Sequence, residues 1–338
     1  MHLPRTSLFL GVIAALTLAI APAAASAAKP LPGVNAETPC VSAQGTPERV
    51  KHVIVLFMEN QPFVEVFHSP EAPYINGLAE RCGLAANYHN ITHPSAPEYV
   101  AATSGLPGGK GDCAPVFLDP SFPRICPDPN NNIFFQLSQS GGTWKDYEES
   151  MKQNCFEGED ETDYDINHNP AAYYTDLGGP SETKNSLCDH FDVPLGSFEE
   201  GNLETDLATG KLANYSFIAP NLINDTHDST IKIGDEYLSK LIPTILNSPD
   251  YEDGSTVLFI TWDEGEGGET DKCAFNTTDI GCHVMMVPVS PHTHPGTVSE
   301  ELFNHYSLLK TSEELLGLEP LGHARERRVH SMIDAFNL

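Results

Sequence analysis

Three continuous apolar runs constrain the fold of this chain most strongly, and a fourth run is similar to them. They are His52–Met58, Tyr215–Ala219, Thr256–Trp262 and His283–Val289. Such runs are typical of strands that are buried on both faces of a parallel sheet. Helical patterns lie between them, over 72–82, 95–104, 235–246 and 299–316, with a short strand over 83–88. This alternation predicts an α/β fold with a mainly parallel sheet between helical layers.

Polar side chains follow three of these strands, directly or within one loop. They are Glu59-Asn60, His227-Asp228 and Asp263-Glu264. In open α/β sheets, ligands gather beyond the carboxyl ends of the strands. We therefore expect the three clusters to share one edge of the sheet. Each pair taken alone is also compatible with a strand-end loop or a helix cap.

The segment Thr92–Tyr99 places a serine hydroxyl where a helix is predicted to begin. Helix starts present unpaired N–H groups and the positive end of the dipole, which suits a nucleophile that attacks and then holds a phosphoryl group. His93 precedes Ser95 by two residues and is a second candidate catalytic residue. Ser95 and Glu98 also match a capping box, in which the two side chains close the helix end. Both interpretations remain open at this point.

The oxygen-bearing side chains at the sheet edge are ligands that divalent metal ions prefer. We expect such an ion, of unspecified identity, to be held by Glu59, Asn60, Asp263 and Glu264. It would polarise a phosphoryl oxygen and lower the pKa of a neighbouring hydroxyl. His227 is the best candidate for protonating a leaving alkoxide, because imidazole carries a proton at mildly acid pH.

The N-terminal 27 residues predict a cleavable export signal, with an apolar stretch that ends in the small residues 25–27. A lead over 28–47 and one large domain over 48–338 are expected to follow. No later apolar segment is long enough to cross a bilayer, so we expect a secreted protein without stable membrane insertion.

All eight cysteines follow the signal, which in an exported chain predicts disulfides. Cys113 with Cys126, and Cys273 with Cys282, are close enough in sequence to close local loops, although spacing does not fix the pairing. An insert over about 108–212 contains four cysteines and is expected to shape the substrate entrance.

The formal charge of −29 excludes a broad nucleic-acid-binding surface and electrostatic docking on anionic membranes. It makes a bound cation more plausible, because a metal ion relieves the repulsion between clustered carboxylates. Most of the acidic residues nevertheless need no explanation beyond solubility.

Four motifs together, in this order, resemble the secreted phosphoesterase family of bacterial acid phosphatases and phospholipases C. They are Met58-Glu59-Asn60, His93–Tyr99, Asn224–Asp228 with Gly234-Asp235, and Thr261–Glu264. The tail histidines also look matched, at His292 and His305. The resemblance implies an alkaline-phosphatase-like three-layer α/β/α sandwich with a disulfide-stapled insert.

The same resemblance implies residue roles. Ser95 would be the phosphorylated nucleophile, and His227 would contact the phosphate or act as the acid. Expected substrate contacts come from four side chains: Glu98, Asp228, His292 and His305. Two positions depart from the family, since Glu98 replaces a usual asparagine and Pro62 a usual serine.

The preferred hypothesis is a secreted phosphomonoesterase that acts on a small phosphate ester or a phosphoinositide or phospholipid head group. A phospholipase C-type phosphodiesterase on the same scaffold is the alternative. A non-catalytic binding module with a structural cation is a third hypothesis. A serine esterase is disfavoured because the chain contains no G-x-S-x-G elbow.

Overall fold

The computed structural model describes residues 1–2, 29–43, 50–106, 132–156, 158, 163–179, 185–268, 270 and 272–338. Within these ranges the strands are β1 His52–Met58, β2 Gly83–Ala85, β3 Tyr88–His89, β4 Trp144–Glu148, β5 Asp192–Pro194, β6 Tyr215–Ala219, β7 Thr256–Trp262, β8 Met286–Val289, β9 Thr297–Ser299 and β10 Phe303–Asn304. Eight of them form one sheet in the order β5-β4-β6-β1-β7-β8-β2-β9. Strand β8 runs antiparallel to both of its neighbours, whereas the remaining pairs are parallel. The predicted mainly parallel sheet is therefore confirmed.

Helices cover both faces of this sheet. They are α1 Phe63–Val66, α2 Pro73–Arg81, α3 Ser95–Ser104, α4 Ile133–Ser140, α5 Leu187–Phe191, α6 Asn202–Ala208, α7 Ile231–Leu246, α8 Pro249–Glu252, α9 His305–Leu316 and α10 Ile333–Phe336. Helix α2 packs on α7, and α3 packs on α9. The central strands β1 and β7 are buried almost throughout, as their apolar sequences require.

Several boundaries differ from the sequence prediction. Helix α7 begins four residues early, where Thr230 caps the N–H of Ile233. The predicted helix over 299–316 is wrong in its first part, because Ser299 ends strand β9 and the helix begins at His305. Asn304 caps it by accepting from the N–H of Ser307 at 3.1 Å. Strand β8 begins at Met286, and the strand predicted over 83–88 divides into β2 and β3.

The region from 108 to 212 contributes two strands to the main sheet. β4 pairs with β6, and β5 pairs with β4, both in parallel. Disulfides join Cys155 to Cys188 within this region, Cys40 to Cys82, and Cys273 to Cys282 as the short spacing suggested. The expected Cys113–Cys126 pair and the export signal lie outside the described residues. None of the helices in the described ranges has the length and apolarity to span a bilayer.

Candidate active site

The carboxyl ends of β1 and β7 lie side by side, because Met58 is in register with Trp262. The backbone continues this pairing past the strands, since the N–H of Asp263 donates to the carbonyl of Met58 at 2.9 Å. The N–H of Glu59 donates to the carbonyl of Asp225 at 2.8 Å, so the loop after β6 is fixed to the same point. Three of the predicted clusters therefore meet at one edge of the sheet.

Ser95 is the first residue of helix α3, and its hydroxyl donates to Glu59 Oε2 at 3.1 Å. The residue at the N-cap position is Pro94, so Ser95 occupies the first turn and not the cap. Glu98 reaches further back than a capping box requires, because its carboxylate accepts from the N–H groups of Ile91 and Thr92. The capping-box interpretation of Ser95 is therefore wrong. Glu98 instead fixes the loop that leads to the serine.

Two predicted substrate contacts are buried supports. Glu98 has no exposed surface, and burial raises the pKa of its carboxyl well above the ordinary value. His305 is also fully buried; its Nε2 donates to the carbonyl of Asp263 at 2.6 Å, and its Nδ1 accepts from the hydroxyl of Tyr88 at 2.9 Å. Burial lowers the pKa of His305 to about 4, so the ring is neutral and makes no ion pair with Glu98, which is 3.6 Å away. The expectation that Glu98 and His305 touch substrate is corrected, because neither side chain reaches the surface.

Glu59 is the centre of the site and is fully buried. Besides Ser95, its carboxylate accepts from the hydroxyl of Tyr99 at 2.9 Å and lies 2.9 Å from Nε2 of His168. Burial acts to raise the pKa of Glu59, but the charge of His168 and hydrogen bonds to His168 and Asp263 outweigh it. The net pKa is lowered, so Glu59 is an ionised acceptor for the serine hydroxyl.

His168 contacts Glu59 in this candidate site, and sequence reasoning missed it. It ends a short 3₁₀ turn, Ile166–His168, inside the polar insert, and it stacks on the ring of Tyr99 at 5.1 Å. Its second nitrogen lies 3.3 Å from a carboxylate oxygen of Asp225. Burial acts to lower the pKa of His168, but Glu59 and Asp225 raise it well above the ordinary value. The run Ile166–Pro170 carries no signal beyond a histidine between two asparagines.

Asp263 offers the strongest observation in favour of a cation. Its Oδ1 accepts from the N–H groups of Asn60 at 3.1 Å and Glu264 at 2.6 Å. Its Oδ2 is buried, with no hydrogen-bond donor among the described residues. Burial and then the charge of Glu59 raise the pKa of Asp263 well above its usual range. Two buried carboxyl groups within hydrogen-bond reach of each other must share a proton or a cation.

The fourth predicted metal ligand is directed elsewhere. Glu264 Oε2 lies 2.6 Å from Nδ1 of His93, and the two side chains form a pair at the mouth of the site. In the described ranges, two groups of three side chains have ligand atoms close enough for one ion. One group is His93 with Cys273 and Cys282, and the other is Asp192 with Cys155 and Cys188. In each group the two cysteines are joined in a disulfide. Neither group includes Glu59, Asn60 or Asp263, so a metal ion held by those residues stays a prediction.

A cavity of about 560 Å³ opens above this edge, and its lining includes Asn60, His93 and Glu264. The rest of the lining is the glycine-rich segment after β7, where Gly268 packs so closely on Gly281 that a Cβ would approach the backbone to 3.1 Å. His93 is partly exposed in this cavity, and its Nε2 lies 3.5 Å from Sγ of Cys273.

His227 and Asp228 form an exposed pair beside the buried histidine. Nδ1 of His227 donates to Oδ1 of Asp228 at 2.7 Å, and the imidazole lies 6.0 Å from the ring of His168. Burial acts to lower the pKa of His227, but the hydrogen bond to Asp228 and the charge of Glu59 raise it. The preceding Thr226 has a φ of 87°, which is strained for a β-branched residue, and its hydroxyl donates to the carbonyl of Glu59 at 2.6 Å.

His292 is not at this edge, so its expected substrate contact is wrong. Because β8 runs antiparallel to β7, the segment after β8 lies at the opposite edge of the sheet. His292 is buried there, and its Nε2 lies 3.2 Å from the carbonyl of Gly254, just before β7 begins. Sequence reasoning placed it correctly after a strand but had the wrong strand direction.

Comparison with known proteins agrees with this architecture. The chain is 27% identical over 279 residues to the phosphatidylinositol-3-phosphatase of Mycobacterium tuberculosis, covering 81% of this chain and 79% of that protein. It is 27% identical over 281 residues to a probable acid phosphatase of Kluyveromyces lactis, covering 80% of this chain but 59% of the yeast protein.

Among solved structures, a Vibrio parahaemolyticus protein of the alkaline phosphatase superfamily aligns with a TM-score of 0.52 at 14% identity. The alignment covers 85% of this chain and 72% of that one, which confirms the expected fold. The Phosphoesterase family model matches residues 64–319, which is most of the sequence. The chain therefore belongs to the Phosphoesterase family.

Proposed function

We propose that this protein is an exported phosphomonoesterase in which Ser95 is the nucleophile. The observation that carries the proposal is the hydrogen bond from the Ser95 hydroxyl to the ionised Glu59 at the start of a buried helix. The names of the relatives support phosphate-ester hydrolysis as the reaction class.

Helix α3 supplies the electrostatics for the first step. The N–H groups of Ser95 and Ala96 belong to its first turn and have no intrahelical acceptor, and Pro97 has no N–H at all. These two donors suit the oxygens of a phosphoryl group attached to the serine. Glu98 holds the preceding loop, so the hydroxyl is positioned before substrate arrives.

A divalent cation fits beside the serine. Glu59, Asn60 and Asp263 would hold it, because Asp263 has a buried oxygen without a donor among the described residues and lies against a second carboxyl group. When bound, such an ion supplies Lewis-acid polarisation of a phosphoryl oxygen and lowers the pKa of the nearby hydroxyl. His168 stabilises Glu59 as a carboxylate in either case.

His227 is the group that we assign to the leaving oxygen. As Ser95 Oγ forms its bond to phosphorus, its proton passes to Glu59, the ester P–O bond breaks, and the departing alkoxide takes a proton from His227. Water then attacks the phosphoserine and gives a proton to His227. The bond between phosphorus and Ser95 Oγ breaks, Glu59 returns the proton to the serine, and inorganic phosphate leaves. Asp228 raises the pKa of His227, which keeps the ring protonated in mildly acid conditions. His93, oriented by Glu264, lies in the cavity where a phosphate oxygen would bind.

Export is part of the proposal. Three disulfides join described cysteines, and such bonds persist in oxidising compartments. Residues 1–27 have the sequence pattern of an export signal. The substrates that we propose are phosphate monoesters with small or head-group-sized leaving groups.

The test is hydrolysis of p-nitrophenyl phosphate and of its bis ester between about pH 5 and 8, with and without a chelator. Ser95→Ala should lose turnover by a factor on the order of 10³ or more. Ser104→Ala removes a serine from the other end of the same helix and should retain turnover, provided that its melting temperature stays close to that of the native protein. Preference for the diester would favour the phosphodiesterase alternative. No turnover of either ester by a folded, metal-replete protein would overturn the proposal.

A further inference from the structure

A second cavity, of about 440 Å³, lies on the other side of the loop that leads to Ser95. Its lining combines aromatic and cationic side chains, which are Phe275, Tyr306, Lys272, His323 and Arg328. The guanidinium of Arg328 stacks on the ring of Phe275, with 3.9 Å between its Cζ and the ring centroid. The ring of Tyr306 lies 5.1 Å from the ring of His323.

The charge of this cavity contrasts with the rest of the molecule. The chain has 18 lysines and arginines against 47 acidic residues, yet the segment His323–His330 contains three arginines and one glutamate. That glutamate, Glu326, accepts from Nε of Arg328 at 2.7 Å and lies 2.6 Å from Nδ1 of His323. It therefore orients two side chains of the cavity wall.

The cationic ends retain donors for a ligand. In the part of the chain that the structure describes, no acceptor is bonded to Nζ of Lys272 or to the terminal nitrogens of Arg328. A planar guanidinium held by an aromatic ring and one carboxylate oxygen still presents its outer N–H groups, which is the geometry that recognises phosphate and carboxylate.

The cavity is close to the nucleophile. Thr92 lines it and precedes Ser95 by three residues, so their Cα atoms are at most about 11 Å apart. A backbone hydrogen bond holds the loop between the two cavities, because the N–H of Cys273 donates to the carbonyl of Ile91 at 2.9 Å. His93 lines the first cavity and Thr92 the second, so the two cavities adjoin the same loop.

We propose that the Lys272–Arg328 cavity is a subsite for a second anionic group of the substrate. This inference rests on the proposed phosphomonoesterase function. The preferred substrates are then phosphate monoesters whose leaving group carries another phosphate or carboxylate several bonds away. The aromatic rings beside the cations accommodate the carbon skeleton that links the two anions.

The experiment compares hexyl phosphate with 1,6-hexanediol bisphosphate, and adds the 1,4-butanediol and 1,8-octanediol bisphosphates as a length series. In the native protein, kcat/KM for the best bisphosphate should exceed that for hexyl phosphate by about five- to tenfold. In the double variant Lys272→Ala/Arg328→Ala, this ratio should fall to about twofold, the statistical factor of two hydrolysable phosphates. Added salt should lower the native ratio, because it screens the exposed cations.

The matched control is Lys211→Ala/Lys240→Ala, which removes two exposed charges from other surfaces and should keep the native ratio. A native ratio of twofold, or a ratio that survives in the Lys272→Ala/Arg328→Ala variant, would overturn the subsite.

If the proposed function is wrong, neither hexyl phosphate nor the bisphosphates will be hydrolysed, and this result differs from loss of the subsite alone. In that event, calorimetric titration with hexane-1,6-bisphosphonate and hexylphosphonate decides the subsite. About fivefold tighter binding of the bisphosphonate that is lost in the double variant would retain it. Equal binding of both phosphonates would reject it.

Discussion

Two groups of buried carboxyls lie on the same sheet, and they are held in different ways. The first contains Glu59 and Asp263 at the carboxyl ends of β1 and β7, and the cationic His168 lies against it. The second contains Asp146 and Glu148 on β4, with Asp192 opposite Asp146 on β5. All five carboxyls are essentially inaccessible to solvent.

Neutral donors hold the second group. Asp146 Oδ2 accepts from the N–H of Ala171 at 3.2 Å, and Asp192 Oδ2 accepts from Nδ2 of Asn169 at 2.9 Å. Burial raises the pKa of Asp146 to about 7. The pKa of Glu148 lies well above its usual range, chiefly because of burial and then because of the charges of Asp146 and Asp192. Asp146 and Glu148 are therefore protonated hydrogen-bonding groups in mild acid.

The difference shows what keeps a buried carboxyl group ionised in this protein. Burial is the largest cause of the raised pKa values of Asp146 and Glu148, whereas His168 lowers the pKa of Glu59 despite complete burial. One short segment serves both groups, because His168 enters the active site while Asn169 and Ala171 bond to the second group. The second group thus positions the residue that keeps Glu59 ionised.

The largest expected effect is a difference in kcat/KM between two matched variants, Glu59→Gln and Glu148→Gln. Glu59→Gln removes the ionised acceptor of the Ser95 hydroxyl and should lower kcat/KM by about 10³-fold. Glu148→Gln replaces a neutral carboxyl with an amide of the same shape and should leave kcat/KM within about threefold. Steady-state kinetics on one monoester checks both. Equal losses in the two variants would show that both groups are charged.

His168→Gln should have the next largest effect, a fall in kcat/KM of about 10²-fold. Without the cation, burial raises the pKa of Glu59, so the acidic limb of the pH–rate profile should move to higher pH. Tyr173→Phe, in the following 3₁₀ turn of the same insert, is the control and should show neither change. An unshifted limb in His168→Gln would contradict the assigned role.

Many features of the fold follow from local patterns in the sequence, whereas part of the site does not. The apolar runs at β1, β6 and β7 place Glu59 and Asp263 together, because parallel strands bring their carboxyl ends to one edge. His168 was missed because it enters from an irregular insert with no hydrophobic period. His292 was misplaced because one strand's direction decides the edge, and residue pattern does not reveal that direction.

Stability should respond to pH through the second group. Asp146 has a pKa of 3.8 when unfolded and about 7 when folded, so between these values the folded chain binds more protons than the unfolded one. The free energy of unfolding should therefore fall as pH rises from about 4 to 7. In Asp146→Asn this fall should be smaller by roughly 2 kcal/mol. Urea unfolding at both pH values measures it, and equal slopes for native and variant would show that Asp146 ionises normally.

The smallest expected effect concerns a residue outside both groups. His292→Gln should keep kcat/KM within about twofold, because the side chain lies at the opposite edge of the sheet. It should lower the free energy of unfolding by about 1 kcal/mol through the altered contact with the carbonyl of Gly254. A large change in KM with unchanged stability would place His292 at the substrate after all.

The most direct test of the account is to trap the covalent intermediate. Native protein is mixed with a phosphate monoester, quenched in acid within the first turnover, digested and analysed by mass spectrometry. The account predicts one added phosphoryl group on the peptide that contains Ser95, located on its hydroxyl, and none in Ser95→Ala. Phosphate on His93 or His168 instead, or turnover that persists in Ser95→Ala, would contradict it.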